Sequence, residues 1–167
     1  MKNKSAVLLL ISELDADYSY IEEATALVDR ARQRLELSGN NDELDLMVLG
    51  ACLHGLYNAI EAYFLRIAKF FENSIDEAAW HRDLLDRMRL EVPGIRPALI
   101  TDNNLAERID ELRRFRHLFR NLYKTRLHHA KLRIVDDCAR NFALDFFPTH
   151  TAFLSWLRDL AENMDSI

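Results

Sequence analysis

Apolar residues recur at every seventh position at the start of the chain, at Val7, Leu14, Ile21, Val28 and Leu35, with Leu10, Ala24 and Ala31 on adjoining positions. That spacing predicts one long helix with a coiled-coil-like seam. Gly39 and the cluster Asn40-Asn41-Asp42 stop it and restart the chain. A second helix, predicted over 42–71, carries Leu49, Leu53, Leu56, Ile60, Tyr63, Ile67 and Phe71 at helical spacing and is apolar around most of its circumference. It is therefore the expected central helix. One narrow polar line crosses it: His54, Asn58 and Glu61, at i, i+4 and i+7. An unpaired buried carboxylate costs several kcal/mol, so Glu61 calls for a cationic partner. Arg116 and Arg120 are the partners the sequence offers, in a pair that is either purely structural or part of a chemical site.

Ser74 is the expected cap of a third, shorter helix running through Ala79, Trp80 and His81 to Met88, with Trp80 as a core aromatic and His81 as a hydrogen-bonded structural histidine. Pro93, Gly94 and Pro97 then enforce an irregular connection. Asn104 with Glu107 three residues later forms a capping-box pattern that opens a fourth helix, predicted to run to 125. A fifth helical region over 130–164 is expected to bend or break near Pro148 and to pack through Phe142, Phe146, Phe153, Trp156 and Leu160. Long helices with short connections predict an all-α antiparallel bundle of about five helices, with residues 1–167 as a single domain.

Composition agrees with this. Four Gly and three Pro in 167 residues are few, which favours helices. Cys52 and Cys138 stand alone in apolar helical contexts, as expected of reduced thiols in a cytoplasmic protein. The apolar run Ala6 to Ile11 is ended at once by Ser12 and Glu13, too short for a secretory segment or a membrane span. Charge changes the picture more. The chain has a formal net charge of −5, yet from Arg113 to Arg133 there are six Arg, two Lys, three His and no Asp or Glu. Phe115, Leu118, Phe119 and Leu122 interleave with these cations at spacings of three and four, which describes a basic amphipathic helix. Such a stripe suits an anionic ligand, RNA or a nucleotide phosphate, and equally a solvated face or a subunit interface closed by acidic side chains. No Gly-rich phosphate loop, HExxH pair, nucleophile elbow or Cys/His metal set is present, so neither a cofactor nor a metal site is expected.

What remains for chemistry is Arg116, His117, Arg120, Asn121 and Tyr123. Residues five apart on a helix point about 140° away from each other. Arg116 and position 121 therefore share a pocket only in a cleft that embraces the helix, and a two-fold dimer supplies one.

The segment Arg116-His117-Leu118-Phe119-Arg120-Asn121-Leu122-Tyr123 resembles the signature of HEPN-domain toxins of the HepT-like type, whose frame is Arg, a polar residue, three further positions, His, any residue, Tyr. The stretches HGLYNAIEAYFLRIAKFFE from His54, AAWHRDLLDRM from Ala78 and ELRRFRHLFRNLYKTRL extend the resemblance over 54–127. It implies a HEPN-like fold, metal-independent ribonuclease activity, a homodimer, and pairing with a nucleotidyltransferase antitoxin that transfers AMP to the motif tyrosine, here Tyr123. By the same resemblance Arg116 holds the scissile phosphate, with His117, Arg120, Lys124 and Glu61 in support. The chain departs from the frame at Asn121, where the family has histidine. An amide orients a water or holds a phosphate oxygen but does not shuttle a proton, and losing a positioned general acid or base costs about 10²–10⁴-fold in rate. The expectation is a ribonuclease toxin with weakened or lost activity, or one in which His117 or His128 substitutes. The alternative is a non-catalytic helical scaffold docking RNA or an acidic partner through its basic helix.

Overall fold

The computed structural model of the chain describes residues 3–40, 42–72, 80–121 and 127–164, the side chains of 80–83 excepted. The cap expected at Ser74 and the side chains of Trp80 and His81 lie outside the described residues, as do Tyr123 and Lys124. Among the described residues there are six helices and no strand. They are α1 (Lys4–Leu37), α2 (Glu43–Phe71), α3 (Trp80–Arg89), α4 (Asn103–Arg120), α5 (His129–Ala139) and α6 (Phe142–Asn163). None of them is long and apolar enough to cross a membrane.

The seven-residue seam of α1 is its buried face, and Val7, Leu14, Ile21, Val28 and Leu35 are all inaccessible or nearly so. The helix stops because Gly39 and Asn40 enter the left-handed region, at φ 78° and 65°. Their N–H groups donate to the Glu36 and Leu35 carbonyls, closing the last turn in a Schellman arrangement. Asp42 then accepts from the Leu44 and Asp45 N–H groups at 2.9 and 3.0 Å, and α2 runs back along α1. Ion pairs fasten this hairpin at both ends, Arg34 to Asp45 and Arg66 to Asp17. The Arg34 guanidinium holds the Asp45 carboxyl below the ordinary carboxylate range.

Helix α6 covers α1 and α2 with Phe142, Phe146 and Phe153, while Trp156 and Leu160 pack at the margin of the same core. Tyr18 donates to the Ala143 carbonyl at 2.9 Å, and its ring stacks on His150 at 4.4 Å between centroids. His150 lies between Asp15, 3.1 Å from Nε2, and the Tyr63 hydroxyl, 2.9 Å from Nδ1. Asp15 is an acceptor, so Nε2 carries the proton and Tyr63 donates to Nδ1. Burial pushes the imidazole below its ordinary value against the pull of Asp15, which keeps it neutral.

Three boundaries differ from expectation, the first being the end of α4, which stops at Arg120 with Asn121 as its C-cap and does not run to 125. Helix α4 is capped by Asp102, which accepts from Asn104 N–H at 2.8 Å and Leu105 N–H at 3.4 Å. A carboxylate complements the positive end of the helix better than the Asn104 amide, which lies two positions inside. The region 130–164 is two helices, broken at Arg140 and Asn141 and continuous through Pro148. Asn141 takes φ 52°, and Arg108 ties down the end of α5 by donating to the Cys138 and Arg140 carbonyls at 2.9 and 2.7 Å. Pro148 lies with Leu144 on the exposed side of α6. A carbonyl left without a donor there is hydrated at little cost.

Candidate functional site

Gly50, His54, Asn58 and Glu61 share one face of α2, and α4 crosses that face. The crossing is close because position 50 has no side chain. A Cβ there would lie 2.7 Å from Phe119 Cε2 and 3.3 Å from Leu127 Cδ1, well inside van der Waals contact. Leu105, Ile109, Leu112 and Phe115 form the buried stripe of α4, and Phe119 ends it over Gly50. Gly50→Ala is therefore expected to destabilise the chain by about 1–3 kcal/mol through overpacking. Gly55→Ala, with nothing within 4 Å of its Cβ, is expected to stabilise it by about 0.5–1 kcal/mol through helix propensity. Urea titrations of the two variants should move in opposite directions.

This crossing lays Arg116 into the polar line of α2. Its Nε donates to Asn58 Oδ1 at 3.0 Å. Nη1 donates to Glu61 Oε1 at 3.2 Å, and Nη2 lies 3.1 Å from Glu61 Oε2, so the carboxylate is held in a fork. The Glu61 side chain is 7% exposed and that of Arg116 18%. The Tyr57 ring lies beneath, 5.7 Å from the guanidinium carbon, a cation–π contact of about 0.5–1 kcal/mol. Burial, with Glu61 adding to it, pushes the Tyr57 hydroxyl far above its ordinary value and keeps it neutral. Of the two partners offered for Glu61, Arg116 is the one found. Three of its five N–H bonds are spent on α2, and the other two have no partner among the described residues.

The line continues to His54, whose Nδ1 lies 3.2 Å from Asn58 Nδ2. Its Nε2 is buried with no hydrogen-bond partner among the described residues, and its ring lies 5.6 Å from that of Phe119. Burial first, then the Arg116 and Arg120 charges, depress the imidazole below its ordinary value, against the pull of Glu61.

The other expected members that fall among the described residues are not gathered here. Asn121 is the exposed C-cap of α4, and its Nδ2 donates to the His117 carbonyl at 2.9 Å. His117 and Arg120 are exposed, and Arg120 makes no ion pair among the described residues. Tyr123 and Lys124 lie outside the described residues. The basic run is also less bare than its composition implies. Arg113 pairs with Asp110 and Arg114 with Asp110 and Glu111, all one turn back on α4. His54, Asn58 and Tyr57 are the members sequence reasoning did not assign to the site, although His54 and Asn58 belong to the polar line that carried the signal.

The family profile described as HepT-like protein matches residues 48–157, which is most of the chain. The chain belongs to the HepT-like family. The match includes Asn58, Glu61, Arg116, Asn121 and Tyr123. It leaves out α1, the helix that covers the back of α2. Comparison with curated proteins and with solved structures gave no match.

Proposed function

We propose that this HepT-like protein is the toxin component of a toxin–antitoxin pair, acting on RNA as a metal-independent endonuclease whose turnover is weakened by Asn121. The observation that carries the reading is the arginine of the motif, held by Asn58 and Glu61 with two N–H bonds unspent among the described residues. A guanidinium fixed in this way is suited to a phosphate oxygen, because it is always charged and its fork is oriented before the ligand arrives. Cleavage by the ribose 2′-hydroxyl forms a bond from O2′ to phosphorus and breaks the bond to O5′. The proton leaving O2′ and the proton reaching O5′ both need a carrier. Histidine at position 121 would be that carrier, and Asn121 leaves both transfers to water. Arg116 and position 121 lie on opposite flanks of α4, so the working site is a homodimer cleft that brings two copies of the helix together. The exposed strip Leu44, Met47 and Val48 on α2 is of the kind such an assembly buries. In this reading a nucleotidyltransferase antitoxin silences the protein by transferring AMP to Tyr123, with His117, Arg120 and Lys124 binding the RNA backbone.

Arg116→Ala alone would take the guanidinium fork away from the buried Glu61 carboxylate, so the test pairs it with Glu61→Gln. The double variant is expected to melt like the parent and to lose cleavage of single-stranded RNA by about 10²-fold. Coexpression with a nucleotidyltransferase is expected to raise the intact mass by AMP units, and Tyr123→Phe to abolish the increment. A double variant that folds, binds and cuts as the parent does would overturn the assignment. A second reading, a binder that does not cut, is favoured by one observation: the Asn121 amide is spent on its own helix at the His117 carbonyl. The absence of cleavage even after Asn121→His, with salt-sensitive RNA binding retained, is its signature.

A further inference from the structure

We infer that neutral His54 is a positioning residue for Arg116, acting through Asn58. The inference rests on the proposed role of Arg116 at phosphate, but its geometry stands independently. An arginine Nε carries a proton and only donates, so the Asn58 group 3.0 Å from it must be the carbonyl oxygen. The other end of that amide, its NH₂, then faces His54 Nδ1 at 3.2 Å. Nδ1 must present a lone pair, which places the imidazole proton on Nε2. The three groups form a directed chain: His54 accepts from Asn58, and Asn58 accepts from Arg116. Glu61 fixes the far side of the same guanidinium.

Protonation of His54 breaks the chain. A proton on Nδ1 faces the Asn58 NH₂, two donors meet, and the amide must turn its oxygen to the histidine and its NH₂ to Arg116. The Nε–H of Arg116 is then without an acceptor, and the guanidinium is held from the Glu61 side alone. The charged groups around the imidazole are Glu61 on α2 and Arg116 and Arg120 on α4. The two arginines and burial outweigh Glu61, so the chain is intact at neutral pH and lost only as pH falls below the ordinary histidine range near 6.5.

The experiment uses the full chain and the Nε–H resonance of Arg116, identified by its absence from Arg116→Lys. Its exchange with water is measured from pH 8 to 4.5 relative to Arg66, whose Nε is held by Asp17. In the parent, Arg116 exchange is expected to rise relative to Arg66 with the midpoint at which the His54 ring itself titrates. His54→Asn, which keeps an acceptor in the place of Nδ1 and does not titrate, is expected to stay protected across the range. His54→Leu is expected to be unprotected at every pH and to bind a single-stranded RNA oligonucleotide about fivefold more weakly, the factor one hydrogen bond sets. If the Arg116 signal is indifferent to the His54 titration in the parent, or if His54→Asn loses protection like His54→Leu, the inference is overturned. Should the Arg116→Ala, Glu61→Gln chain bind RNA as the parent does, the RNA reading fails while the exchange result still decides the role of His54.

Discussion

The Asn121→His chain is expected to cleave single-stranded RNA about 10²–10⁴-fold faster than the parent, without added metal ion. The substitution is favourable to test because position 121 is exposed and its backbone, at φ −109° and ψ 15°, is ordinary for an L-residue. It costs one local hydrogen bond, from Asn121 Nδ2 to the His117 carbonyl. An imidazole at the C-terminal end of α4 also complements the negative end of the helix dipole, so the charged form that donates to a leaving oxygen is accessible near neutral pH. Combining it with Arg116→Ala and Glu61→Gln is expected to cut the gain by about 10²-fold, because the proton carrier is then present while the phosphate charge is lost. The rate should fall on dilution through the dissociation range of a homodimer, since one α4 presents Arg116 and position 121 on opposite flanks. A folded Asn121→His chain that cuts no RNA removes the main support of the ribonuclease reading. The search would then pass to partners of the basic helix.

Arg96→Ala is expected to lower stability by about 3–5 kcal/mol, the cost of breaking a buried charged network from one side. The Arg96 side chain is 1% exposed. Its Nη1 donates to the Leu90 and Pro97 carbonyls at 3.0 and 3.2 Å, and its Nη2 to the Arg87 carbonyl at 2.9 Å and to Glu72 Oε1 at 3.0 Å. These bonds hold the connection from α3 to α4 in place of regular structure, around the turn in which Gly94 takes φ 75°. Removing the guanidinium leaves the Leu90 and Pro97 carbonyls without a donor among the described residues, while the Arg87 carbonyl keeps the Leu90 N–H at 3.1 Å and Glu72 keeps Arg87 at 2.6 Å. For a chain of this size the midpoint of thermal unfolding should fall by roughly 6–20 °C. Arg96→Lys is expected to recover little, because an ammonium cannot span four acceptors arranged around a planar fork. A midpoint within about 2 °C of the parent would show that the network contributes far less than its burial implies.

Periodicity made the architecture legible. The heptad of α1, the turn at Gly39 and Asn40, the span of α2 and the irregular stretch around Pro93 and Pro97 are local patterns, and local sterics and burial enforce them. Competing local signals were not resolvable in the same way. Asp102 and Asn104 are both cap residues, and which of them caps depends on where the preceding connection delivers the chain. Pro148 and Asn141 are both breakers. The break fell at Asn141, next to the Arg140 carbonyl that Arg108 of another helix holds, and Pro148 was carried through on the exposed side of α6.

For the candidate site, the sequence by itself determined that a buried carboxylate and a polar line ran along α2 and that a basic amphipathic helix existed to meet it. These are consequences of residue type and spacing on a single helix. Tertiary structure alone decided that Arg116, and not Arg120, meets Glu61, because the missing side chain of Gly50 sets how closely and in what register α4 lies on α2. It decided as well that His54 and Asn58 orient that guanidinium, since the direction of a hydrogen bond depends on which donor packing brings to which acceptor. The same crossing left Asn121 bonded to its own helix and turned away from Arg116, because five residues of α-helix rotate it to the other flank.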